Sequence, residues 1–217
     1  MTDILFLHKL TDQVKRYFKK EIIIGIDVDG VLRDFIGQVR YVYKKTYPRH
    51  KIKDQLGWDL TSVFPIKEKI NDFIYKEHVI DIFGYAPMYS GAREFLKKLR
   101  NDFKCQLKFV TTQPNVMSKI YTNRWLLWEG CASEPKEIIF SDRKGNEKID
   151  ILIDDGVHNL LDADRKGKFC ICFNQPWNIQ DVKWKGLRAN NYDEVYNIIE
   201  KNYSKYKKVY QLRNNGN

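Results

Sequence analysis

Continuous apolar runs recur along the chain and are separated by segments of helical periodicity. The first run, EIIIGI at residues 21–26, is rich in β-branched side chains, as in strands that are buried on both faces of a parallel sheet. Runs of the same character follow at LKFV (107–110), EIIF (137–140), DILI (150–153) and FCICF (169–173). Strands that alternate with helices in this way predict an α/β fold with a Rossmann-like, doubly wound parallel sheet.

Amphipathic periodicity predicts the helices around these strands. They are expected over residues 3–20, 90–100, 116–129 and 192–199. Ser90 is placed to cap the second of them. In the third, the pattern assigns one helix face to Met117, Tyr121, Trp125 and Trp128.

Residues 36–86 interrupt this alternation. The segment is aromatic and basic, it lacks a clear buried strand, and Pro and Gly residues mark its turns. We therefore predict a small helical cap that is inserted after the first strand. The predicted organisation is a helical lead-in at 1–20, an α/β core at 21–35 and 87–200, the cap at 36–86, and a basic tail, expected to fray, at 201–217.

The charge of the chain points to an anionic partner. Its 217 residues carry a formal net charge of +10, with a pI near 9.3. Phosphorylated metabolites, nucleic acid and acidic surfaces all fit this charge, and the alternative is a sequence that is simply rich in lysine. A nucleic-acid partner and a homodimer are both left open.

Targeting signals are not recognised in the chain. No apolar run approaches the roughly 18 residues of a membrane helix, and MTDILFLHKL lacks the basic start and cleavage site of a signal peptide. The four cysteines have no zinc-site spacing and are expected to be reduced thiols. These observations predict a cytoplasmic protein without a membrane span.

Polar side chains follow four of the predicted strands at their carboxyl ends, where open parallel sheets bind ligands. They are Asp27, Asp29, Thr111, Thr112, Lys144, Asp154 and Asp155. Several carboxylates at one edge repel each other unless a cation lies between them. A hard divalent cation with oxygen ligands, Mg²⁺, meets this need and commonly completes its shell with water and a substrate phosphate.

The spacing of the first two acids indicates phosphoryl transfer. Asp27 can attack phosphorus as a nucleophile, and Asp29, two residues on, can protonate the leaving oxygen and later deprotonate water. Gly30 permits the tight turn that follows.

These motifs carry a resemblance to a known family. D-V-D-G-V-L, T-T-Q-P, a lysine and D-D occur in order between residues 27 and 155, and this order resembles the haloacid-dehalogenase-like superfamily of aspartate-nucleophile phosphatases. DVDGVLRDF, FGYAPMYSGAREFLKKL, FVTTQP, IIFSDRKGNEKIDILIDD and CFNQPWN are similar to the 5′(3′)-deoxyribonucleotidase group. The resemblance implies a Mg²⁺-dependent phosphatase that hydrolyses nucleotide monophosphates through an aspartyl-phosphate intermediate.

The resemblance also implies roles for the residues at the strand ends. Asp27 would be the nucleophile and a Mg²⁺ ligand, and Asp29 the general acid and base, with its backbone carbonyl on the metal. Thr111 and Thr112 would hold phosphoryl oxygens. Lys144 would stabilise the nucleophile and the transferring group, with its neighbours Arg143 and Lys148 as alternatives. Asp155 is the preferred metal ligand of its pair, and Asp154 would orient Lys144 or the waters.

Three further residues concern the substrate. Phe35 falls where the group stacks an aromatic ring on the nucleobase, and its alternative is a place in the apolar core. Trp58 is a candidate for the base pocket. Arg33 departs from the group, which more often has a small residue there, and a cation at this position could bind a second phosphate or restrict the base.

Other functions compete with nucleotide hydrolysis. The acid at position 29 favours a phosphatase over the dehalogenase branch, because a halide leaves without a proton. A phosphatase of nucleic-acid ends fits the charge, although a closed cap would exclude a polymer. The remaining alternatives are another small phosphomonoester and a catalytically idle basic binding protein.

Overall fold

The computed structural model describes residues 22–54, 57–103 and 105–202. The strands are β1 (Ile22–Ile26), β2 (Cys105–Thr111), β3 (Ile138–Phe140), β4 (Ile151–Asp154), β5 (Phe169–Phe173) and β6 (Leu187–Ala189). The α-helices are α1 (Phe35–Thr46), α2 (Ile70–Asp72), α3 (Val79–Phe83), α4 (Ala92–Asp102), α5 (Val116–Trp128), α6 (Val157–Arg165) and α7 (residues 192–202). Short 3₁₀ turns lie at Leu60–Ser62, Lys67–Lys69, Pro135–Glu137 and Lys144–Asn146, and a π-helical turn lies at Phe73–Glu77.

The six strands form one parallel sheet in the order β3-β2-β1-β4-β5-β6. Successive strands are added on one side of β1 as far as β3 and on its other side from β4 onward. The carboxyl ends of β1 and β4 therefore flank the crevice where such folds bind ligands. The predicted doubly wound sheet is thereby confirmed. Sequence reasoning missed β6, because this short edge strand carries Arg188 and the exposed Leu187 in place of an apolar run.

Both faces of the sheet are buried, which explains why the strands read as unbroken apolar runs. Ile26 and Ile153 point into the cluster that α4, α5 and α7 cover. Leu152, Cys170 and Cys172 point into the opposite cluster, which α6 covers. Each fully buried aliphatic side chain contributes roughly 1.5–3 kcal/mol to stability, so the central strands are anchored from both sides.

The helices between β1 and α4 have a third apolar cluster of their own. Its buried members are Val39, Val42, Tyr43, Val63, Phe64, Ile70, Phe73, Ile74, Val79, Ile82 and Phe83. The helical insertion after the first strand is therefore confirmed, and we call this part the cap. The exact boundaries of the predicted domains stay a prediction.

The chain enters and leaves the cap through two adjacent segments. Asp34 N donates to Pro87 O at 2.9 Å, and Tyr89 N donates to Leu32 O at 2.8 Å. Arg33 and Met88 form an antiparallel bridge between them. The two crossings are thus held together as a short two-stranded ribbon.

Some details of the helices differ from the prediction. Ser90 does not cap α4: Gly91 occupies the cap position with a φ of 84°, and no side chain caps the helix there. Met117 and Trp128 on α5 are 44% and 82% exposed, because the buried face of this helix includes the hydroxyl side chains Ser118 and Thr122. The helix predicted over 192–199 is confirmed as α7, with Val195 and Ile199 buried.

The predicted lead-in helix and the tail from residue 203 lie outside the described residues. Within the described part of the chain, no helix has both the length and the apolar character that a membrane span requires.

Candidate active site

The loop that follows β1 brings its acids to the edge of the sheet. Asp27 N donates to Ile153 O at 2.9 Å, which continues the ladder between β1 and β4 by one residue. The chain then turns tightly, with Arg33 N donating to Val28 O at 2.8 Å. Gly30 has a φ of 80°, and a Cβ atom there would lie 2.3 Å from Asp155 Oδ2. The turn therefore requires glycine for its conformation and for its close approach to the second acid pair.

Three buried carboxylates meet at the ends of β1 and β4. Asp27, Asp154 and Asp155 each offer an oxygen, and these oxygens lie within 4.8 Å of one another. Lys144, from the turn after β3, places its Nζ 2.9 Å from Asp27 Oδ1 and 2.7 Å from Asp154 Oδ2. One buried ammonium therefore faces three buried carboxyl groups.

The excess of carboxyl groups over ammonium groups shifts the pKa values of the cluster. Burial raises the pKa of Asp27 to about 7; Asp154 and Asp29 add to the rise and Lys144 opposes it. Burial, with Asp27 and Asp154, also raises the pKa of Asp155 well above its ordinary value. Burial alone would lower the pKa of Lys144, but Asp154 and Asp27 together raise it above 10.5. Three buried carboxyl groups around one ammonium therefore favour the binding of a proton or of an additional cation.

The chemistry of the donors fits a divalent cation. Asp155 Oδ2 accepts from Trp177 Nε1 at 2.8 Å, whereas its buried Oδ1 has no hydrogen-bond partner among the described residues. Asp154 is more fully engaged, since Oδ2 binds Lys144 and Oδ1 accepts from Gly156 N at 2.7 Å. A free carboxylate oxygen beside other carboxylates is the donor set that Mg²⁺ prefers.

The hydroxyl pair after β2 is divided between two environments. Thr111 is buried, and its Oγ1 lies 3.4 Å from Gln113 Nε2. Thr112 is exposed and donates from Oγ1 to Ser141 O at 2.8 Å. Gln113 also donates to Asp29 Oδ2 at 2.8 Å. Sequence reasoning did not assign a role to Gln113, although it lies within the T-T-Q-P motif.

The carboxylate of Asp29 is paired with Arg33. Arg33 Nε donates to Asp29 Oδ1 at 2.7 Å, and Nη2 donates to Oδ2 at 3.0 Å. The Arg33 side chain is 0% exposed. A direct contact between Arg33 and a substrate does not fit this burial.

The two predicted base-binding aromatics are far from equivalent. Phe35 is half-buried and packs in the cap cluster against Phe83, with 5.4 Å between ring centroids. Trp58 is 56% exposed and meets His158 edge-on at 5.4 Å. His158 lies in the first turn of α6, three residues after Asp155, so this contact brings the cap to the core near the carboxylate cluster. Trp177 was missed as a site residue, although it belongs to the quoted CFNQPWN motif.

Most of the chain matches a nucleotidase family model and a bacterial deoxyribonucleotidase. The family model described as 5′ nucleotidase, deoxy (pyrimidine), cytosolic type C protein (NT5C) matches residues 20–205. The chain is similar to the 5′(3′)-deoxyribonucleotidase of Bacillus subtilis, with 28% identity over 175 residues that cover 80% of this chain and 95% of that protein.

Solved structures share the fold. A haloacid dehalogenase-like hydrolase, SP0104 of Streptococcus pneumoniae, matches with a TM-score of 0.59 and 16% identity, covering 82% of this chain and 98% of that one. The hydrolase YfnB of Bacillus subtilis, solved bound to magnesium, matches with a TM-score of 0.52 and 11% identity, covering 83% and 99%.

Proposed function

The chain belongs to the cytosolic type C family of deoxy (pyrimidine) 5′-nucleotidases, which makes it a phosphoric monoester hydrolase of the haloacid-dehalogenase type, and we propose that it hydrolyses nucleoside monophosphates with Mg²⁺ through an aspartyl phosphate. The observation that carries this proposal is the buried Asp27–Lys144 pair within the carboxylate cluster at the ends of β1 and β4.

Asp27 is the proposed nucleophile. Both hydrogen bonds found for its carboxylate within the described residues end on Oδ1, from Val28 N at 2.7 Å and from Lys144. We therefore assign the attack to Oδ2. A bond forms from Oδ2 to phosphorus while the ester P–O bond breaks, and the leaving oxygen takes a proton from Asp29.

The second half of the reaction restores the site. A water oxygen attacks the phosphorus of the aspartyl phosphate and gives its proton to Asp29. The bond between Asp27 and phosphorus breaks, which releases inorganic phosphate and regenerates the carboxylate. Asp29 thus acts once as an acid and once as a base, as a single positioned carboxyl group can.

The remaining groups bind and neutralise the phosphoryl oxygens. Lys144 is held by Asp154 at 2.7 Å, which supports an orienting role for Asp154. Thr111 would donate to a phosphoryl oxygen, and Thr112 would have to release Ser141 O to do the same. Asp27, Asp155 and the backbone carbonyl of Asp29 would hold Mg²⁺. When bound, the ion would supply the charge that stabilises the transferring phosphoryl group.

The substrate class rests on the cap. Trp58 offers an exposed ring beside the carboxylate cluster, and Phe35 lies where the chain enters the cap. We propose that Trp58 contacts the nucleobase, with Phe35 supporting the wall of the pocket. A nucleic-acid partner, a homodimer and a cytoplasmic location stay predictions from the sequence.

Phosphate release from a panel of ribo- and deoxyribonucleoside monophosphates, with and without Mg²⁺, tests this function. We expect metal-dependent release that Asp27→Asn reduces by at least about 10³-fold, because the nucleophile is lost. Asp164→Asn, an exposed acid on α6, serves as the matched control and should keep full activity. No release from any nucleotide would refute the nucleotidase proposal, and glycerol phosphate would then distinguish another phosphatase from an idle protein.

A further inference from the structure

Arg33 is a fully buried cation with an unusually complete set of partners. Besides its two bonds to Asp29, its guanidinium donates from Nη1 to Phe83 O at 3.0 Å and from Nη2 to Thr122 Oγ1 at 3.0 Å. The rings of Phe83 and Trp125 each lie 5.1 Å from its Cζ atom. A charge buried to this degree is tolerated only when it is paired and hydrogen-bonded, and here four donor contacts meet that condition.

These partners belong to two separate parts of the molecule, and Arg33 itself lies in a third. Phe83 ends α3 in the cap, and Thr122 and Trp125 belong to α5 in the core. The backbone of Arg33 lies in the outgoing crossing and bridges to Met88 in the returning one. The guanidinium therefore contacts the cap and the core at the point where the chain crosses between them.

The fourth partner, Asp29, is the carboxylate that the proposed mechanism uses to move protons. A carboxylate has about four acceptor positions, two on each oxygen. Asp29 Oδ2 accepts from both Arg33 Nη2 and Gln113 Nε2, whereas among the described residues Oδ1 accepts from Arg33 Nε alone. One acceptor position on Oδ1 is left for the transferred proton, and the 22% exposure of the side chain leaves it accessible.

We propose that Arg33 is a positioning residue for Asp29: its planar fork fixes the carboxylate so that Oδ1 is presented to the leaving oxygen, and it ties that orientation to the seated position of the cap. The inference rests on the proposed role of Asp29 as general acid and base. The fork matters because two parallel N–H donors define an orientation, whereas a lysine ammonium supplies charge without that geometry.

The choice of leaving group separates this role from a purely structural one. Loss of a nucleoside alkoxide needs a proton, whereas loss of p-nitrophenolate hardly does. The ratio kcat/KM reports the steps through departure of the leaving group. A misdirected Asp29 should therefore damage kcat/KM for a nucleotide and spare kcat/KM for p-nitrophenyl phosphate.

The test compares Arg33→Ala, Arg33→Lys and the exposed control Arg124→Ala on α5, with folding checked by circular dichroism. For Arg33→Ala we expect kcat/KM for a deoxyribonucleoside monophosphate to fall about 30- to 100-fold, as misplacement of a reacting group by about 1 Å does, and kcat/KM for the aryl phosphate to fall less than about threefold. Arg33→Lys should lie between, and added guanidinium should restore the nucleotide reaction of Arg33→Ala. Arg124→Ala should match the wild type on both substrates.

If Arg33→Ala lowered kcat/KM equally for the nucleotide and the aryl phosphate, or lowered it for neither, the proposal would be overturned. If Arg33→Ala does not fold, Arg33→Lys carries the same comparison, and the same outcomes decide it. A wild-type protein that ignores nucleotides but hydrolyses glycerol phosphate would refute the proposed function alone, and the alkyl phosphate would then replace the nucleotide. A protein that hydrolyses no phosphomonoester would end both proposals.

Discussion

The part of the site that the core supplies, here called the core wall, consists of Asp27, Asp154 and Lys144 and is charged and buried. The nearest part of the cap is aromatic and partly exposed. Asp27, Asp154 and Lys144 are fixed by backbone pairing, burial and mutual contacts. Near this wall, the ring of Trp58 in the cap meets the ring of His158, three residues after Asp155. The contrast indicates a division of labour in which the core determines the reaction and the cap determines which substrate is held there.

The sharpest way to break this contrast is to remove the cation of the core wall. Lys144→Met leaves the three carboxylates without their ammonium, so we expect phosphate release to fall about 10²- to 10³-fold, as when one transition-state donor is lost. Steady-state kinetics would measure the loss on every substrate, because the core wall acts on the phosphoryl group. Lys148→Met is the matched control, since Lys148 is exposed in the same loop. A loss in Lys148→Met and none in Lys144→Met would reassign the catalytic amine.

The second test uses the proton that competes with the metal. In the metal-free protein the pKa of Asp27 is about 7, raised from 3.8 mainly by burial. The pKa of Asp27 is higher in the folded than in the unfolded chain. Its contribution to the stability of the metal-free protein is therefore complete below pH 3.8 and is lost as the pH rises through 7. Mg²⁺ must displace the same proton, and the raised pKa of Asp155 adds to this competition, so the affinity for Mg²⁺ should fall at least about tenfold between pH 8 and pH 6. Titration calorimetry at the two pH values measures this, and equal affinities would contradict the proposed ligand.

The smallest expected effect concerns the cap wall. Trp58→Ala removes an exposed ring that meets His158 edge-on. We expect KM for a nucleotide to rise about fivefold with kcat preserved, the low end of the roughly 1–3 kcal/mol that stacking of one base on an aromatic ring contributes. Trp128→Ala, 82% exposed on α5, is the control that should change nothing. A fall in kcat for Trp58→Ala would show that the cap takes part in the chemistry, and the contrast between the two walls would fail.

Sequence reasoning reached the core wall more readily than the rest, for a physical reason. Asp27 and Asp154 come directly after apolar runs and Lys144 lies four residues after one, and parallel strands bring their carboxyl ends to one edge. The orphaned Oδ1 of Asp155 and its contact with Trp177 depend on side-chain direction across 22 residues, which no local pattern encodes.

Arg33 shows the same limit more sharply. In the sequence it is a cation next to an acid motif, and this suggests a role in binding phosphate. Its burial depends on Phe83 and Thr122, which are 50 and 89 residues away along the chain. The role of such a residue follows from its surroundings, and those become known only when the cap is seated on the core.

The paired crossings at residues 32–34 and 87–89 have a consequence for how this molecule can diverge. Because Asp34 N binds Pro87 O and Tyr89 N binds Leu32 O, the core presents two chain ends side by side, and the closure cost of whatever joins them grows only slowly with its length. An insertion of another length can be accommodated at this point without moving β1 or α4, provided that it supplies an acceptor where Phe83 O now binds the Arg33 guanidinium. Substrate range can therefore change through the insertion while the reaction chemistry is kept, within that one constraint.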